Sequence, residues 1–552
     1  MSGRTKKPLM TKASTKLGAM ENHLYYGDNL QVLRDSVADE SVDLIYLDPP
    51  FNSQANYNVL FKAPTGEQSK AQIEAFEDTW HWNATAERAF DEVIQSGNTD
   101  VAEMLRAMRS FLKENDMMAY LTMMAVRLLE LHRVLKPTGC LYLHCDPTAG
   151  HYLKLVLDGI FGIQNFINEI SWKRTGAHSD AKQGSAHYGR IHDLIFFYSK
   201  APGFKWLPLW KPHNEDYVSS HYTNIDANGR KFRWDNITGP GGAAKGNPYY
   251  DVLGVMGHWR YSKERMAKLI ADGYVAIPPS GKKPALKRYL DDQQGSPITD
   301  FWDDISPLNS QAQERLGYPT QKPLVLLERI IEASSSEGDV VLDPFCGCGT
   351  TIHAAQKLRR RWIGIDVTHL AISLIEKRLN DAFPGIAFDI HGTPKDIGGA
   401  KALADADKYQ FQWWAVSLVN AVPYGGKKKG ADSGIDGHIY FKPDGKVTEK
   451  AIVSVKGGEN VNVAMVRDLA HVVDREKAKI GVFITLAEPT GPMKTEAVKT
   501  GFYETDHGKF PKVQIITIAE LFDGKKPQIP LVDTSYFKKA QREDISQQGK
   551  LI

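Results

Sequence analysis

The sequence predicts an α/β fold: a doubly wound, mostly parallel sheet split by a loop-rich module, with a second and smaller α/β domain after it. Three observations carry this. Short apolar runs of strand type alternate with amphipathic helical stretches over residues 24–172 and again over 324–379. The rhythm breaks down over 173–318, where Gly-rich and aromatic segments dominate. It resumes after residue 410 with three further apolar runs separated by helical stretches. A chain of 552 residues is too long for one core. The boundaries fall at 1–20 for a flexible basic tail, 21–172 for the first α/β half and 173–318 for the inserted module. They continue at 319–390 for the second half, 391–409 for a linker, 410–535 for the small domain and 536–552 for a second tail.

Taken in order, the tail (Arg4, Lys6, Lys7, Lys12, Lys16) is basic and lacks the apolar core of a signal peptide. LYYGDNLQVL at 24–33 reads as a strand, a Gly-Asp turn and a helix start capped by Asp28 or Asn29. VDLIYLDPPFN at 42–52 is a strand that ends abruptly. Residues 64–115 are polar and helix-prone around Trp80 and Trp82, which suggests an inserted lid. Leu121, Met124, Leu128, Leu131 and Leu135 lie on one face of a helix over 117–135, stopped by Lys136-Pro137-Thr138-Gly139. A strand over 140–144, a helix over 154–161 and a strand over 166–172 complete the first half.

The module holds Trp206, Trp210, Trp234 and the run Gly239-Pro240-Gly241-Gly242. Between 172 and 300 about 19 basic residues face about 12 acidic ones, a surplus suited to phosphate. The net charge of +2 for the whole chain says little. After the module come a helix (324–333), a strand (339–342), a helix (351–358), a strand (362–365) and a helix (371–379). The four cysteines, Cys140, Cys145, Cys346 and Cys348, form no paired C-x-x-C sets. They argue against a structural zinc site and fit a reducing cytoplasm. No apolar run is long enough to span a bilayer.

Two strand ends carry the chemistry. After 42–47 come Asp48, Pro49, Pro50 and Phe51. Two prolines remove two N–H donors and leave their carbonyls as acceptors. Acceptor oxygens beside a flat ring suit a planar group bearing an amine, such as a nucleobase; a tight turn alone would give the same letters. The second strand end is DPFCGCGTT at 343–351. It invites a dinucleotide reading, but Ile352 stands where the third glycine belongs. The carboxylate of Asp343 beside the loop suits a cationic ligand. Asp366, seventeen residues past Gly349, stands where ribose hydroxyls are held in such folds. Glycine loop, acid and ribose acid together point to a nucleoside carrying an amino acid, and S-adenosylmethionine fits.

DPPF at 48–51 resembles the catalytic motif of DNA amino-methyltransferases, and DPFCGCGTT resembles their cofactor loop. Catalytic motif first, recognition segment next and cofactor loop last is the order of the permuted β class. YGDN from residue 26, RVLKPTGCLYLHCDPTAGHYLK at 133–154 and YPTQKPL at 318–324 add to the likeness. The set is similar to modification subunits of restriction systems, especially the type III-like branch, over most of 21–385.

The resemblance implies a Rossmann-like methyltransferase sheet with an inserted target-recognition module. It implies that Asp48 and the Pro49 carbonyl accept the amine, that Pro50 shapes the turn and that Phe51 stacks on a base flipped from duplex DNA. It assigns Phe345, Gly347 and Gly349 to the cofactor pocket, Asp343 to the methionine amine, Asp366 to the ribose and Asp28 to the adenine. Thr320 and Lys322 fall in the segment closing over the methionine end, where Lys322 reads equally as a solvated helix cap. Asp before Pro-Pro usually accompanies N6-adenine methylation and Ser N4-cytosine, so adenine is expected. Duplex DNA is the implied partner, with restriction-system subunits and a second copy of the chain as further candidates.

The last domain, with GADSGIDG at 430–437 and SVKGG at 454–458, resembles the Mrr-like branch of the PD-(D/E)xK nucleases. There an Asp and an acid two before a Lys hold Mg²⁺. Asp436 and Lys456 match, with Asp436 as the metal ligand. Ser454 replaces the Glu, Asp or Gln of the pattern, and the upstream acidic position falls on Gln410 or Gln412. Serine is a poor ligand for a hard cation. Lys427, Lys428 and Lys429 suit phosphate contact or a solvated charge run. The expectation is therefore an adenine-N6 DNA methyltransferase with a nuclease-like domain. A fused enzyme that also cleaves, a non-catalytic DNA-binding protein and an RNA or protein methyltransferase are the alternatives.

Overall fold

The computed structural model describes residues 22–50, 56–62, 68–77, 81–176, 186, 188–279, 281–309, 312, 314–316, 318, 320–424, 434–530 and 540–543, with the backbone alone for 56–62 and 68–77. The chain divides into two compact units, residues 1–207 with 300–552, and residues 208–299.

The first unit opens with β1 (His23–Tyr26), α1 (Asn29–Ser36) and β2 (Val42–Leu47). All six residues of β2 are buried, the mark of a strand covered on both faces. Asp43 within it accepts from Lys136 Nζ and from the Val340 N–H, which satisfies a buried carboxylate. β3 (Asn56–Lys62) and β4 (Gln68–Glu77) form an antiparallel hairpin. Then come α2 (Ala84–Gln95), α3 (Thr99–Leu112), α4 (Asp116–Val134), β5 (Leu135–Cys145), α5 (Pro147–Phe161), β6 (Phe166–Lys173) and β7 (His192–Ser199). Twelve of the nineteen residues of α4 are buried, so it is an interior helix rather than a surface one. Asn115 caps it.

The second unit holds β8 (Trp210–Lys211), α6 (Glu215–His221), β9 (Asn224–Ile225), β10 (Lys231–Asn236), β11 (Tyr249–Val252), β12 (Val255–His258), α7 (Lys263–Ala271), β13 (Val275–Ala276), β14 (Ala285–Tyr289) and β15 (Ser296–Pro297). A four-stranded antiparallel sheet, β13-β14-β10-β9, is accompanied by the pairs β11–β12 and β8–β15. Its core gathers Ile237, Tyr250, Val252, Trp259, Met266, Val275 and Leu286.

The first unit resumes with β16 (Phe301–Trp302), α8 (Leu324–Ser334), β17 (Val340–Asp343), α9 (Thr350–Lys357), β18 (Arg361–Asp366), α10 (His369–Ala382) and β19 (Asp389–His391). The main sheet has nine strands in the order β16-β6-β7-β5-β2-β17-β18-β1-β19. β7 runs antiparallel to β5 and β6, and the remaining neighbours are parallel. There follow α11 (Ile397–Ala406), α12 (Lys408–Leu418), β20 (Val422–Pro423), β21 (Gly437–Phe441), β22 (Glu449–Lys456), α13 (Val463–Arg475), β23 (Ile480–Thr485), α14 (Gly491–Lys499), β24 (Phe502–Thr505), β25 (Gly508–Pro511), β26 (Val513–Thr517) and α15 (Ile518–Phe522). The strands β20-β21-β22-β23-β26 form one sheet. One face carries Phe411, Trp414, Val453 and Ile484, the other Ile452, Leu469 and Phe483.

Four expectations change. The stretch 64–115 begins as a hairpin, and its helices are not a lid: Phe90, Val93, Val101, Leu105 and Met108 enter the main core. Trp80 lies outside the described residues, while Arg109 sits 4.6 Å over both Trp82 and Phe90. The separate module is narrower than 173–318, because HDLIFFYS at 192–199 is a buried strand of the main sheet. The linker 391–409 contains α11, whose Ala400, Leu403 and Ala404 recur at helical spacing and join the core of the small domain. The second tail is fastened at one point: Glu543 donates its N–H to Ala382 O and its carboxylate meets His353 and Lys357. The first tail lies outside the described residues.

Candidate active site at the carboxyl ends of the central strands

β17 pairs with β2 on one side and β18 on the other, and β1 lies beyond β18. Four neighbouring parallel strands therefore end together, and each end supplies a carboxylate: Asp48 after β2, Asp343 closing β17, Asp366 closing β18 and Asp28 after β1. These acids line one cavity of about 350 Å³, with Pro50, Tyr318, Thr320, Lys322, Phe345, Gly347 and Thr368 among the other walls. Ligands of open α/β sheets bind at such ends.

Asp343 is 3% exposed. One oxygen accepts the Phe345 N–H at 3.0 Å. Burial pushes its carboxyl up to about 7; the Thr351 hydroxyl and the Phe345 N–H oppose the shift, and Asp48 and Asp366 add to it. Asp366 accepts from Gly347 N (2.9 Å), Thr368 N (2.9 Å) and the Thr368 hydroxyl (2.8 Å). Burial raises it to about 6 against those bonds. Both acids are thus held in low dielectric, ready to gain from a cationic or hydroxyl-bearing partner.

The loop between β17 and α9 needs its glycines. Gly347 has φ +50°, and a Cβ there would lie 3.2 Å from the Tyr318 ring. Gly349 has φ +74°, and a Cβ would lie 2.7 Å from Ile375 Cγ1. Gly349 therefore shapes the loop from behind rather than lining the cavity. Buried Arg378 supports the same loop, donating to Cys348 O, the Thr350 hydroxyl and His353 Nδ1 at 3.1 Å each. From the small domain, Trp413 packs with Tyr318, Cys348 and Leu370.

Asp48 faces Lys322, whose Nζ makes an ion pair with Oδ2. Both side chains are largely enclosed, 16% and 12% exposed. Oδ1 of Asp48 is buried and has no hydrogen-bond partner among the described residues. Lys322 is thus no solvated cap; it reaches across 274 residues to the strand end. Pro49 is buried and Phe51 lies outside the described residues.

Sequence reasoning missed several partners. Asp28 caps α1 and also pairs with buried Arg127 at 2.8 Å. Arg127 in turn holds Asn29, which donates to Pro344 O and so ties β1's turn to the cofactor loop. Beneath Asp48, the Tyr46 hydroxyl meets His144 Nδ1 at 2.8 Å and His144 Nε2 meets Asp193 at 3.3 Å. Burial pushes the Tyr46 hydroxyl far up.

The nuclease-like residues form a sparser group. Asp436 accepts the Val455 N–H at 2.6 Å, and its own N–H donates to Val453 O. Ser454 is 4% exposed and Lys456 ends β22. Gln410 is spent elsewhere: its Oε1 accepts the His369 N–H at the start of α10. Among the described residues no cluster of three His, Cys, Asp or Glu includes Asp436. Lys427, Lys428 and Lys429 lie outside the described residues. No described helix is long and apolar enough to cross a membrane.

Comparison with known proteins agrees with this division. Residues 42–377 match the DNA methylase family of N6 and N4 methyltransferases, and residues 403–523 match the Mrr catalytic family, described as restriction endonuclease. The Type II methyltransferase M.EcaI of Enterobacter cloacae is 30% identical over 364 residues, 65% of this chain and 69% of that protein. The Type III restriction-modification enzyme StyLTI Mod subunit of Salmonella typhimurium is 29% identical over 349 residues, 60% of this chain and 49% of that protein. A solved putative DNA modification methylase from Thermus thermophilus, complexed with S-adenosyl-L-methionine, is 18% identical with a TM-score of 0.32, covering 67% of this chain and 99% of that one.

Proposed function

The chain belongs to the N6/N4 DNA methylase family, and from that premise we propose that it methylates the exocyclic N6 amine of adenine in duplex DNA, with Asp48 as the group that receives the amine. That it is a DNA methyltransferase with a Mrr-type domain at its carboxyl side follows from the family matches. The finer assignment rests on one observation above the others. A buried carboxylate oxygen, Asp48 Oδ1, has no hydrogen-bond partner among the described residues, and Asp48 is one of the walls of the cavity that Asp343 and Asp366 also line.

That cavity fits the methyl donor of the family, S-adenosylmethionine. Asp343 offers a buried acid for the ammonium of its methionine end, Asp366 an acid for ribose hydroxyls, and Phe345 an apolar wall. When bound, it supplies a methyl group activated by the sulfonium. The protein's share of the reaction is placement and charge. The amine lone pair of adenine is delocalised into the ring, so acceptors on its N–H bonds favour the pyramidal nitrogen that attacks. Asp48 Oδ1 supplies one acceptor and the Pro49 carbonyl the other. Lys322, paired with Oδ2, holds the carboxylate in place while Oδ1 accepts. The base must leave the duplex to reach the strand end, and the basic module supplies phosphate contacts. Cytoplasmic DNA is the substrate such a site would meet.

Asp before Pro-Pro, rather than Ser, supports adenine over cytosine. The test is methyl transfer from labelled cofactor to unmethylated duplex DNA, RNA and protein in parallel. Labelling of duplex DNA alone, lost in Asp48→Ala with cofactor binding retained, supports the reading. Labelling of RNA or protein without DNA would overturn it.

The Mrr-type domain admits a second reading, a fused enzyme that also cuts DNA. Its match to a restriction endonuclease family favours it, and Asp436 would then hold Mg²⁺ with Lys456 beside the phosphate. Ser454 in the usual acid's place argues instead for a domain that binds DNA. Incubation of unmethylated plasmid with Mg²⁺ separates the two: cuts that vanish in Lys456→Ala establish cleavage. Other restriction subunits, or a second copy of the chain, complete the set of partners.

A further inference from the structure

The edge of the main sheet carries a polar cluster that methyl transfer does not use. β19 pairs in parallel with β1, placing His23 opposite Asp389 and Tyr25 opposite His391. His23 Nδ1 and His391 Nε2 lie 3.1 Å apart. Each of His23, Asp389 and His391 offers a ligand atom, and these atoms all lie within 4.8 Å of one another. His23 starts β1, whereas the cavity is reached past its other end, at Gly27 and Asp28. The cluster is therefore separate from the active site.

A plain aromatic stack accounts for part of this. The Tyr25 ring lies 4.5 Å from His391 at an interplanar angle of 19°. The 3.1 Å approach of the two ring nitrogens is a hydrogen bond in the metal-free chain, and those same nitrogens, with the Asp389 carboxylate beside them, also converge as a set of ligand atoms. A tetrahedral zinc ion, bound at 2.0–2.1 Å by two imidazoles, would hold their nitrogens about 3.3 Å apart. The observed spacing needs only a small adjustment. Two nitrogens and one carboxylate oxygen are a donor set for zinc with water as fourth ligand. Imidazoles disfavour magnesium and calcium, which take oxygen.

The surroundings are built to hold the strands together at this point. His23 is 8% exposed and Asp389 is exposed, so the cluster is rooted on one side and open to solvent on the other. The Asp389 N–H donates to Asn22 O. Directly after His391, Gly392 runs at φ +80°, and a Cβ there would lie 2.1 Å from Tyr26 O. Backbone is pinned against β1 on both sides of the cluster.

We propose that His23, Asp389 and His391 form a zinc site that fastens the edge strand β19 to β1. β19 is only three residues long and leads into α11, the first helix in the core of the Mrr-type domain. The ion would lock the methylase sheet at the point where the chain departs for that domain.

The test uses the full chain, stripped with chelator and titrated with Zn²⁺. The expected result is one ion per chain with a Kd below about 1 μM and a melting temperature that rises with added zinc. Asp389→Asn, at an exposed position, and His391→Gln, at a half-buried one, should each weaken binding at least about tenfold and shrink that rise. Co²⁺ in place of zinc should give visible bands without a thiolate charge-transfer band. Binding that is equal in the variants, a thiolate band pointing to the cysteines, or no stoichiometric binding would overturn the proposal.

Discussion

The methylase half of this chain and its Mrr-type domain both place their candidate residues at strand ends, and they are furnished very differently. In the methylase half, four adjacent parallel strands bring Asp28, Asp48, Asp343 and Asp366 around one cavity. In the Mrr-type domain, Asp436 precedes β21, Lys456 closes β22, and these neighbours run antiparallel. Ser454 is buried where a ligand belongs in the pattern, and the carboxylate of Asp436 already accepts the Val455 N–H. The difference teaches that a fold delivers positions, and the side chains placed there decide the chemistry.

The largest expected effect breaks the stronger side of this comparison. Asp48→Ala should lower kcat for methyl transfer by roughly 10²- to 10³-fold or more, while the Kd for S-adenosylmethionine, read by calorimetry, stays within about threefold. A parallel loss of cofactor affinity would move Asp48 from the reaction to the cofactor. Next comes Lys322→Met, which leaves a largely buried carboxylate unpaired and should cost about 2 kcal/mol in denaturant unfolding. The double variant with Asp48→Asn should recover most of it.

How much of this was legible in the residues follows from distance along the chain. Asp48 and Asp343 announce themselves because each ends an apolar run beside prolines or glycines, a local signal. The pairing of Lys322 with Asp48 spans 274 residues, and no local pattern carries it. The same holds for Arg127 under Asp28 and for the chain Tyr46–His144–Asp193, in which polar residues of apolar strands meet only once the sheet is built. The strand 192–199 was hidden by the Gly-rich stretch before it, although HDLIFFYS is itself an apolar run. α11 was hidden by its alanines and glycines, which read as linker until the helical spacing of Ala400, Leu403 and Ala404 is counted.

Smaller effects sharpen the contrast. Gly349→Ala should destabilise the protein by about 1–3 kcal/mol, since φ +74° and the approach of Ile375 both oppose a side chain; the melting temperature checks it. Asp343 gives a pH signature. Its carboxyl is raised from 3.8 to about 7, so its contribution to the stability of the ligand-free fold is full below its ordinary value and is lost as pH rises through about 7. A cationic partner needs the ionised form, so the affinity for S-adenosylmethionine should rise over the same window and level off above it, by at most about tenfold per pH unit. Asp343→Asn should flatten that profile. At the bottom of the scale, Lys456→Ala should leave methyl transfer unchanged in the same label assay, because Lys456 is not among the walls of the cavity that Asp48, Asp343 and Asp366 line.

The identity of the modified nucleoside tests the role of Asp48 and the choice of adenine most directly. Duplex DNA incubated with S-adenosylmethionine and the full chain is digested to nucleosides and separated by chromatography with mass detection. The expected product is N6-methyl-2′-deoxyadenosine, present with the natural sequence and absent with Asp48→Ala. Modified cytosine in its place, or an equal yield from the variant, would contradict that assignment.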